Sequence, residues 1–249
     1  MNYEYQTVTL KAITQPEIYT DPDGFGGTKK LSADEFIAYA ARVSNPGNQM
    51  NTETAPRLIK YLIKNRHWSP FEMVHVVMEI KTTRDIGRQI LRHRSFSFQE
   101  FSQRYAEVVD SSGPRELRLQ DKKNRQNSIE LDFTGTDTMT PTMFQEEWEA
   151  RQRNVAQIAE ETYQWALKHN PYGPIAKEQA RVVLPEGLTM STLYMAGTLR
   201  SWIHYINERT HIADGVSPTQ KEHRDIAEKA KNIILEQFPS LGEYYAENT

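Results

Sequence analysis

The chain has 249 residues, of which 38% are hydrophobic and 25% charged, a balance suited to one large water-soluble domain or two small ones. Its formal net charge of −3 disfavours a general polyanion binder but leaves room for a local positive pocket. It has no cysteine, which excludes disulfides, thiolate metal sites and a cysteine nucleophile.

At the start of the chain, MNYEYQTVTL has no basic patch followed by a long apolar stretch, so no secretory signal is expected. No later apolar run approaches the roughly 18 residues of a membrane span, and the cytoplasm is the expected location. Residues 3–14 are rich in β-branched and aromatic side chains and predict a first strand. Asp21–Gly27 predicts a turn; it lacks the Lys-Ser ending and the G-x-G-x-x-G spacing of phosphate loops. Ser32-Ala-Asp-Glu35 is a capping box opening a helix to about Arg42. A second helix is predicted from Thr52 or Glu53 to Asn65, with Leu58, Tyr61 and Leu62 as its apolar stripe.

Pro70 breaks the chain, and Met73–Ile80 reads as a strand in a sheet core. A helix from about Thr83 would align Arg84, Arg88 and Arg92, either as a solvated face or as a ligand-facing row. Residues 110–140 are polar and irregular, and the cluster Lys122-Lys123-Asn124-Arg125 reads as solvated charge sooner than a phosphate contact. A long helix is expected over Met143–Lys168, burying Trp148, Val155, Ile158, Ala159, Tyr163 and Ala166, and ending at Asn170–Pro174. A short helix then leads into Arg181–Pro185. Leu188–Met195 fits either a strand or a buried helix. Helices over Ala196–Asn207 and Gln220–Gln237 complete an α+β chain with long helices around a modest sheet.

The segment Arg92–Arg104 (RHRSFSFQEFSQR) carries the densest chemistry. Arginine forks match phosphate or carboxylate at two points, and aromatic rings pack on planar ligands. Arg92, His93 and Arg94 are consecutive, so they cannot all point one way. The bland alternative is surface charge near a helix end, but Phe96, Phe98, Phe101 and Tyr105 argue for partial burial, where unpaired guanidinium groups are costly. Ser102 and Arg104 together suit a phosphate. Glu100 could accept from a ring nitrogen or a ribose hydroxyl, or simply pair with a nearby arginine. Arg181, Arg200, His204, Asn207 and Arg209 form a second donor set, with Arg200, His204 and Asn207 on one helical face. Two separated sets imply more than one charged ligand, or a site shared between subunits. The histidines have no recognised metal spacing, so no metal site is expected.

These residues resemble the flavin-dependent thymidylate synthases, the ThyX family. The likeness rests on R-H-R-x-x-S-x-x-E-x-S-x-R-Y from Arg92 to Tyr105, with Ala40–Ser44, His67-Trp-Ser-Pro-Phe-Glu72, Glu178–Pro185, Arg200-Ser201 and Asn207-x-Arg209. It spans about residues 35–237. The resemblance implies one domain over residues 1–249, a small mixed or antiparallel sheet packed with long helices, and a homotetramer with active sites shared between subunits. It implies FAD as cofactor and dUMP, methylenetetrahydrofolate and NADPH as partners, without nucleic acid or membrane. By position, Gln89, Arg94, Glu100, Ser102, Arg104, Arg181 and Arg209 would bind dUMP. Ser44, Ser69, Arg92, His93, Arg94, Glu100, Arg200 and His204 would bind FAD, and His67 would stand on the folate or nicotinamide approach with Glu72 supporting it. Arg209 and Arg92 would be the catalytic electrostatic groups. Thr198 and His204 stand where family members often carry asparagine, and Thr210–Pro218 is longer than the family's usual connection, leaving His211 unassigned. A flavin or nicotinamide reductase without methyl transfer, and an RNA-binding protein using the arginine-aromatic segment, are the competing readings.

Overall fold

The structure, a computed structural model, describes residues 5–20, 29–108, 110–125, 127–131, 139–212 and 217–247. The turn expected over Asp21–Gly27 and part of the Thr210–Pro218 connection lie outside them.

The first strand is β1 (Thr7–Ile13), followed by a two-residue ladder of β2 (Tyr19–Thr20) with β3 (Lys29–Lys30). Helix α1 (Ala33–Ala41) starts at the expected capping box: the Ser32 hydroxyl accepts the Glu35 N–H at 3.1 Å, and the Glu35 carboxylate accepts the Ser32 N–H at 2.8 Å. Helix α2 (Ala55–Lys64) buries Ala55, Ile59, Leu62 and Ile63. The expected stripe is corrected here, because Tyr61 is exposed and Leu58 only partly buried. Its end is a Schellman closure. The Arg66 N–H donates to Ile63 at 2.9 Å and the His67 N–H to Leu62 at 2.8 Å, with Arg66 left-handed at φ 57°. This closure turns the chain sharply into His67–Glu72.

β4 (His75–Thr83) runs into α3 (Arg84–Ile90) without a loop. The strand starts later than expected, since Met73 belongs to a 3₁₀ turn, Ser69–Met73, and is exposed. β5 (Ser97–Glu100) then lies inside the arginine-aromatic segment, where no strand was expected. The polar stretch contains a small antiparallel hairpin, β6 (Arg118–Gln120) with β7 (Ser128–Glu130). Helix α4 (Met139–Gln164) widens into a π-helical turn over Trp165–His169. After α5 (Lys177–Ala180), β8 (Met190–Thr198) resolves the ambiguous Leu188–Met195 segment as a strand. Helix α6 (Leu199–Thr210) therefore begins later than Ala196, with Thr198 as its cap accepting the Ser201 N–H at 3.2 Å. Helices α7 (Lys221–Gln237) and α8 (Gly242–Glu247) close the chain.

The main sheet has the order β1-β4-β8-β5 and is antiparallel throughout. The long central pair runs in register from His75↔Thr198 to Thr83↔Met190. Each central strand launches a helix at its end, so α6 starts beside the beginning of β4 and α3 beside the beginning of β8. The core packs Val76, Met78, Ile80, Leu193 and Met195 of the sheet against Ile37, Ile59, Trp202, Ile206, Ile226 and Ile234 of the helices. A separate small cluster joins Val108 to Tyr163, Ala166, Leu167 and Ala180.

Helix α4 is rotated from the expected orientation. Ala159, Tyr163 and Ala166 are buried as predicted, but Trp148, Val155 and Ile158 are exposed. Gln145 and Gln152 occupy the inner face instead. The Gln152 side chain accepts the Arg115 N–H and donates to the Arg115 carbonyl, both at 2.8 Å, and Gln145 accepts the Leu117 N–H at 2.6 Å. Two amides thus satisfy a backbone segment that has no sheet partner.

Candidate active site

Helix α3 stops at Ile90, so the row of Arg84, Arg88 and Arg92 is not a helical stripe. Arg84 faces Glu100 at 3.5 Å, Arg88 pairs with Glu186, and Arg92 stands exposed in the following turn. That turn is anchored by Phe96, whose ring lies edge-on to Trp202 at 4.9 Å. A Cβ at Gly197 would come within 2.4 Å of this ring, so only glycine lets β8 pass so close. With Phe96 buried, Arg92 and Arg94 project outward and His93 turns inward, as the divergence of consecutive side chains requires.

His93 meets the end of α6. The Arg209 Nε donates to His93 Nε2 at 2.9 Å, so the imidazole is an acceptor there and its proton sits on Nδ1. Burial first, then the nearby Arg209 and His204, push the His93 pKa down to about 4. Its ring stands edge-on to Tyr205 at 4.9 Å and to His223 at 6.2 Å. Gln89, on the last turn of α3, donates to Gln220 at 2.7 Å, immediately before α7. Four segments thereby gather Gln89, His93, Arg209, Gln220 and His223.

A second group forms around β5 and α5. Glu100 accepts from the Ser191 hydroxyl at 2.8 Å as well as facing Arg84. The Ser102 hydroxyl accepts the Arg104 N–H at 3.4 Å, and the exposed Arg104 guanidinium pairs with Glu178 at 3.3 Å over the Tyr105 ring. Arg181 follows α5 three residues after Glu178 and is half-buried. Among the described residues, no hydrogen bond or ion pair joins this group to the one around Arg209.

A cavity of about 490 Å³ opens between the Trp68–Glu72 turn and the first turns of α6, lined by Trp68, Glu72, Ser95, Arg200, His204 and Asn207. Arg200 pairs with Glu72 across it, and Asn207 donates to the Tyr244 hydroxyl at 2.7 Å. Its indole, guanidinium, imidazole and amide suit a planar ring bearing an anionic tail, so these residues fit a flavin nucleotide. Ser44 and Ser69 are exposed on neighbouring turns but do not form its walls. His67 is exposed too, edge-on to Tyr61 at 6.0 Å. Among the described residues, no three His, Asp or Glu side chains gather as a metal site, and no helix is long and apolar enough to cross a membrane.

Sequence reasoning missed a cleft of about 890 Å³ between the β6–β7 hairpin, α4 and the start of α7. Arg118 there pairs with the buried Glu222, and Lys221 with Glu116 at 2.9 Å. Of the basic segment, only Arg125 reaches the cleft. Asp121 instead caps the turn by accepting the Lys123 and Asn124 N–H groups at 2.7 and 3.2 Å. Gln220 was also missed, because a glutamine at a helix start has no distinctive spacing.

Known proteins are similar to this chain in sequence and in fold. Residues 28–240 match the family model described as "Thymidylate synthase complementing protein". The chain is 48% identical over 210 residues to a probable flavin-dependent thymidylate synthase of Paramecium bursaria Chlorella virus 1, covering 84% of this chain and 89% of that one. It is 44% identical over 234 residues to a flavin-dependent thymidylate synthase of Synechocystis sp., covering 94% and 96%. Its fold resembles the crystal structure of a UMP/dUMP methylase, PolB, from Streptomyces cacaoi bound with 5-Br UMP, at a TM-score of 0.73 and 28% identity over 97% of this chain and 94% of that one. The mixed α+β architecture, the cysteine-free composition and these matches together place the chain in the family of flavin-dependent thymidylate synthases.

Proposed function

We propose that this chain catalyses the reductive methylation of dUMP to dTMP. Methylenetetrahydrofolate supplies the carbon, NADPH is the reductant, and tetrahydrofolate leaves. The observation that carries this reading is Arg209, fixed on an uncharged imidazole in a chain without a thiol. With no cysteine to attack the pyrimidine, activation falls to positive charge placed beside the developing negative charge. Arg209 and Arg92 are the groups suited to that task, and Gln89, whose amide donates to Gln220, offers its side-chain carbonyl to the uracil edge. When bound, FAD supplies the reducing equivalents.

In the same reading, Ser102, Arg104 and Arg181 hold the nucleotide phosphate, and Arg104 exchanges Glu178 for it. Glu100 and Arg94 complete the pyrimidine site. Arg200, His204, Ser44, Ser69, His93 and Arg92 hold FAD, and His67 stands at the folate and nicotinamide entrance. Among the described residues, no hydrogen bond or ion pair joins the groups around Arg209 and Arg104, which fits a homotetramer whose sites are completed by neighbouring copies. Helix α4 supports that assembly. Phe144, Trp148, Val155, Ile158 and Trp165 are all exposed at successive spacings of four, seven, three and seven residues, on one helix-pairing seam whose intervening places are Arg151 and Thr162.

Purified protein supplied with dUMP, methylenetetrahydrofolate, FAD and NADPH is expected to form dTMP and tetrahydrofolate, and to stop when any one is omitted. NADPH oxidation that ignores dUMP and yields no dTMP would favour a simple flavin reductase. Arg209→Ala should lower kcat by about a hundredfold, the order seen when one transition-state donor is removed, while flavin absorbance after purification stays at the parental level. Parallel loss of flavin and turnover would argue against its pyrimidine role.

A further inference from the structure

We propose that His223 is a positioning residue for Arg209: together with Tyr205, it clamps the His93 ring in the orientation that accepts the Arg209 Nε–H. The meaning of Arg209 rests on the function proposed above, whereas the clamp rests on geometry.

His223 sits in the first turn of α7 and is fully buried, yet among the described residues neither of its ring nitrogens has a hydrogen-bond partner. What the described residues give it is ring packing, against His93 and Tyr205. That ring lies 6.2 Å from His93 at 85° and 5.7 Å from Tyr205 at 40°, and Tyr205 in turn meets His93 at 4.9 Å. Two rings from two helices thus border one imidazole, and Tyr205 is itself fully buried.

This burial has a chemical consequence. His93 accepts from Arg209 only while Nε2 is unprotonated. The groups facing it are Arg209, His204 and the Tyr205 ring from α6 and His223 from α7, with Arg92 and Arg94 flanking it in sequence. Burial is the first cause of its low pKa, near 4, and burial with Arg209 and His93 takes His223 down to about 3. Because both lie below the ordinary value, the Arg209–His93 bond persists above the His93 pKa and is lost as the pH falls through it. Water admitted behind His93 would raise that pKa and move the loss toward neutrality.

The test uses the full-length protein with ring-labelled histidine, its His93 resonance identified by its loss in His93→Gln. In His223→Ala, the His93 titration should rise by about two units, toward the ordinary histidine value of about 6.5. His223→Phe keeps a ring in place and should leave the titration within about half a unit of the parent. The acid limb of kcat/KM should follow, leaving His223→Ala about tenfold down at about pH 5.5 and recovering above about pH 8. His223→Val gives the same readout if the alanine variant is too unstable to purify. An unmoved His93 titration in the alanine or valine variant would overturn the clamp, and so would a phenylalanine variant that shifts as much as alanine. Absence of dTMP formation alongside the shifted titration would count against the proposed activity and leave the clamp standing.

Discussion

Arg104 illustrates how one guanidinium can be both exposed and committed. Its side chain is 56% exposed, pairs with Glu178 and lies over Tyr105. Such an exposed pair contributes little to stability, about 0–1 kcal/mol. A dianionic phosphate competes for the same fork with a stronger charge-assisted bond. Arg104→Ala should therefore weaken dUMP binding at least about tenfold in calorimetry, corresponding to the roughly 1.5–3 kcal/mol of a hydrogen bond to a charged group, with little change in melting temperature. An unaltered dUMP affinity would remove Arg104 from the phosphate site. The residue types at this site were legible because arginine, serine and glutamate recur between aromatic rings from Arg92 to Tyr105. Their partners were not, since Ser191, Glu178 and Gln220 are distant in sequence and common in type.

Secondary elements were read well where a local signal is strong and poorly where a distant partner decides. The capping box of α1 came out as expected, and so did the extent of α7, which buries Ile226, Ala230 and Ile234 and leaves Ile233 partly buried. β5 escaped because its four residues are a strand only by pairing with β8. Helix α4 kept its expected existence but not its rotation, because buried Gln145 and Gln152 are required by the unpaired backbone of Arg115 and Leu117. Arg66 is a further case, an arginine in the left-handed position that usually takes glycine. Arg66→Gly should stabilise the fold by about 0.5 kcal/mol, the strain relieved being partly offset by glycine's greater unfolded-state freedom. A β-branched Arg66→Val should lose about 1 kcal/mol or more. Denaturant unfolding that ranked Val at or above Gly would refute the strain argument.

At the scale of the whole molecule, the proposed sharing of sites between copies rests on the exposed α4 seam and on two cationic groups that no hydrogen bond or ion pair joins among the described residues. Val155 is 53% and Ile158 65% exposed, large apolar surfaces to leave in water. Replacing both by glutamate should shift the protein to smaller species by light scattering. It should also lower dTMP formation at least about tenfold by removing the neighbour's contribution to each site. A double variant that stays assembled and active would place the subunit contact elsewhere. The sequence alone determined the chemistry: no thiol, the arginine-aromatic signature, the family and most helices, all carried by residue type and short-range spacing. Only the tertiary structure decided which face α4 buries, that β5 joins β8, that His93 turns in to Arg209, and that His223 backs it. Those outcomes depend on contacts between residues far apart in the chain, where satisfying buried polar groups and filling space override any local pattern.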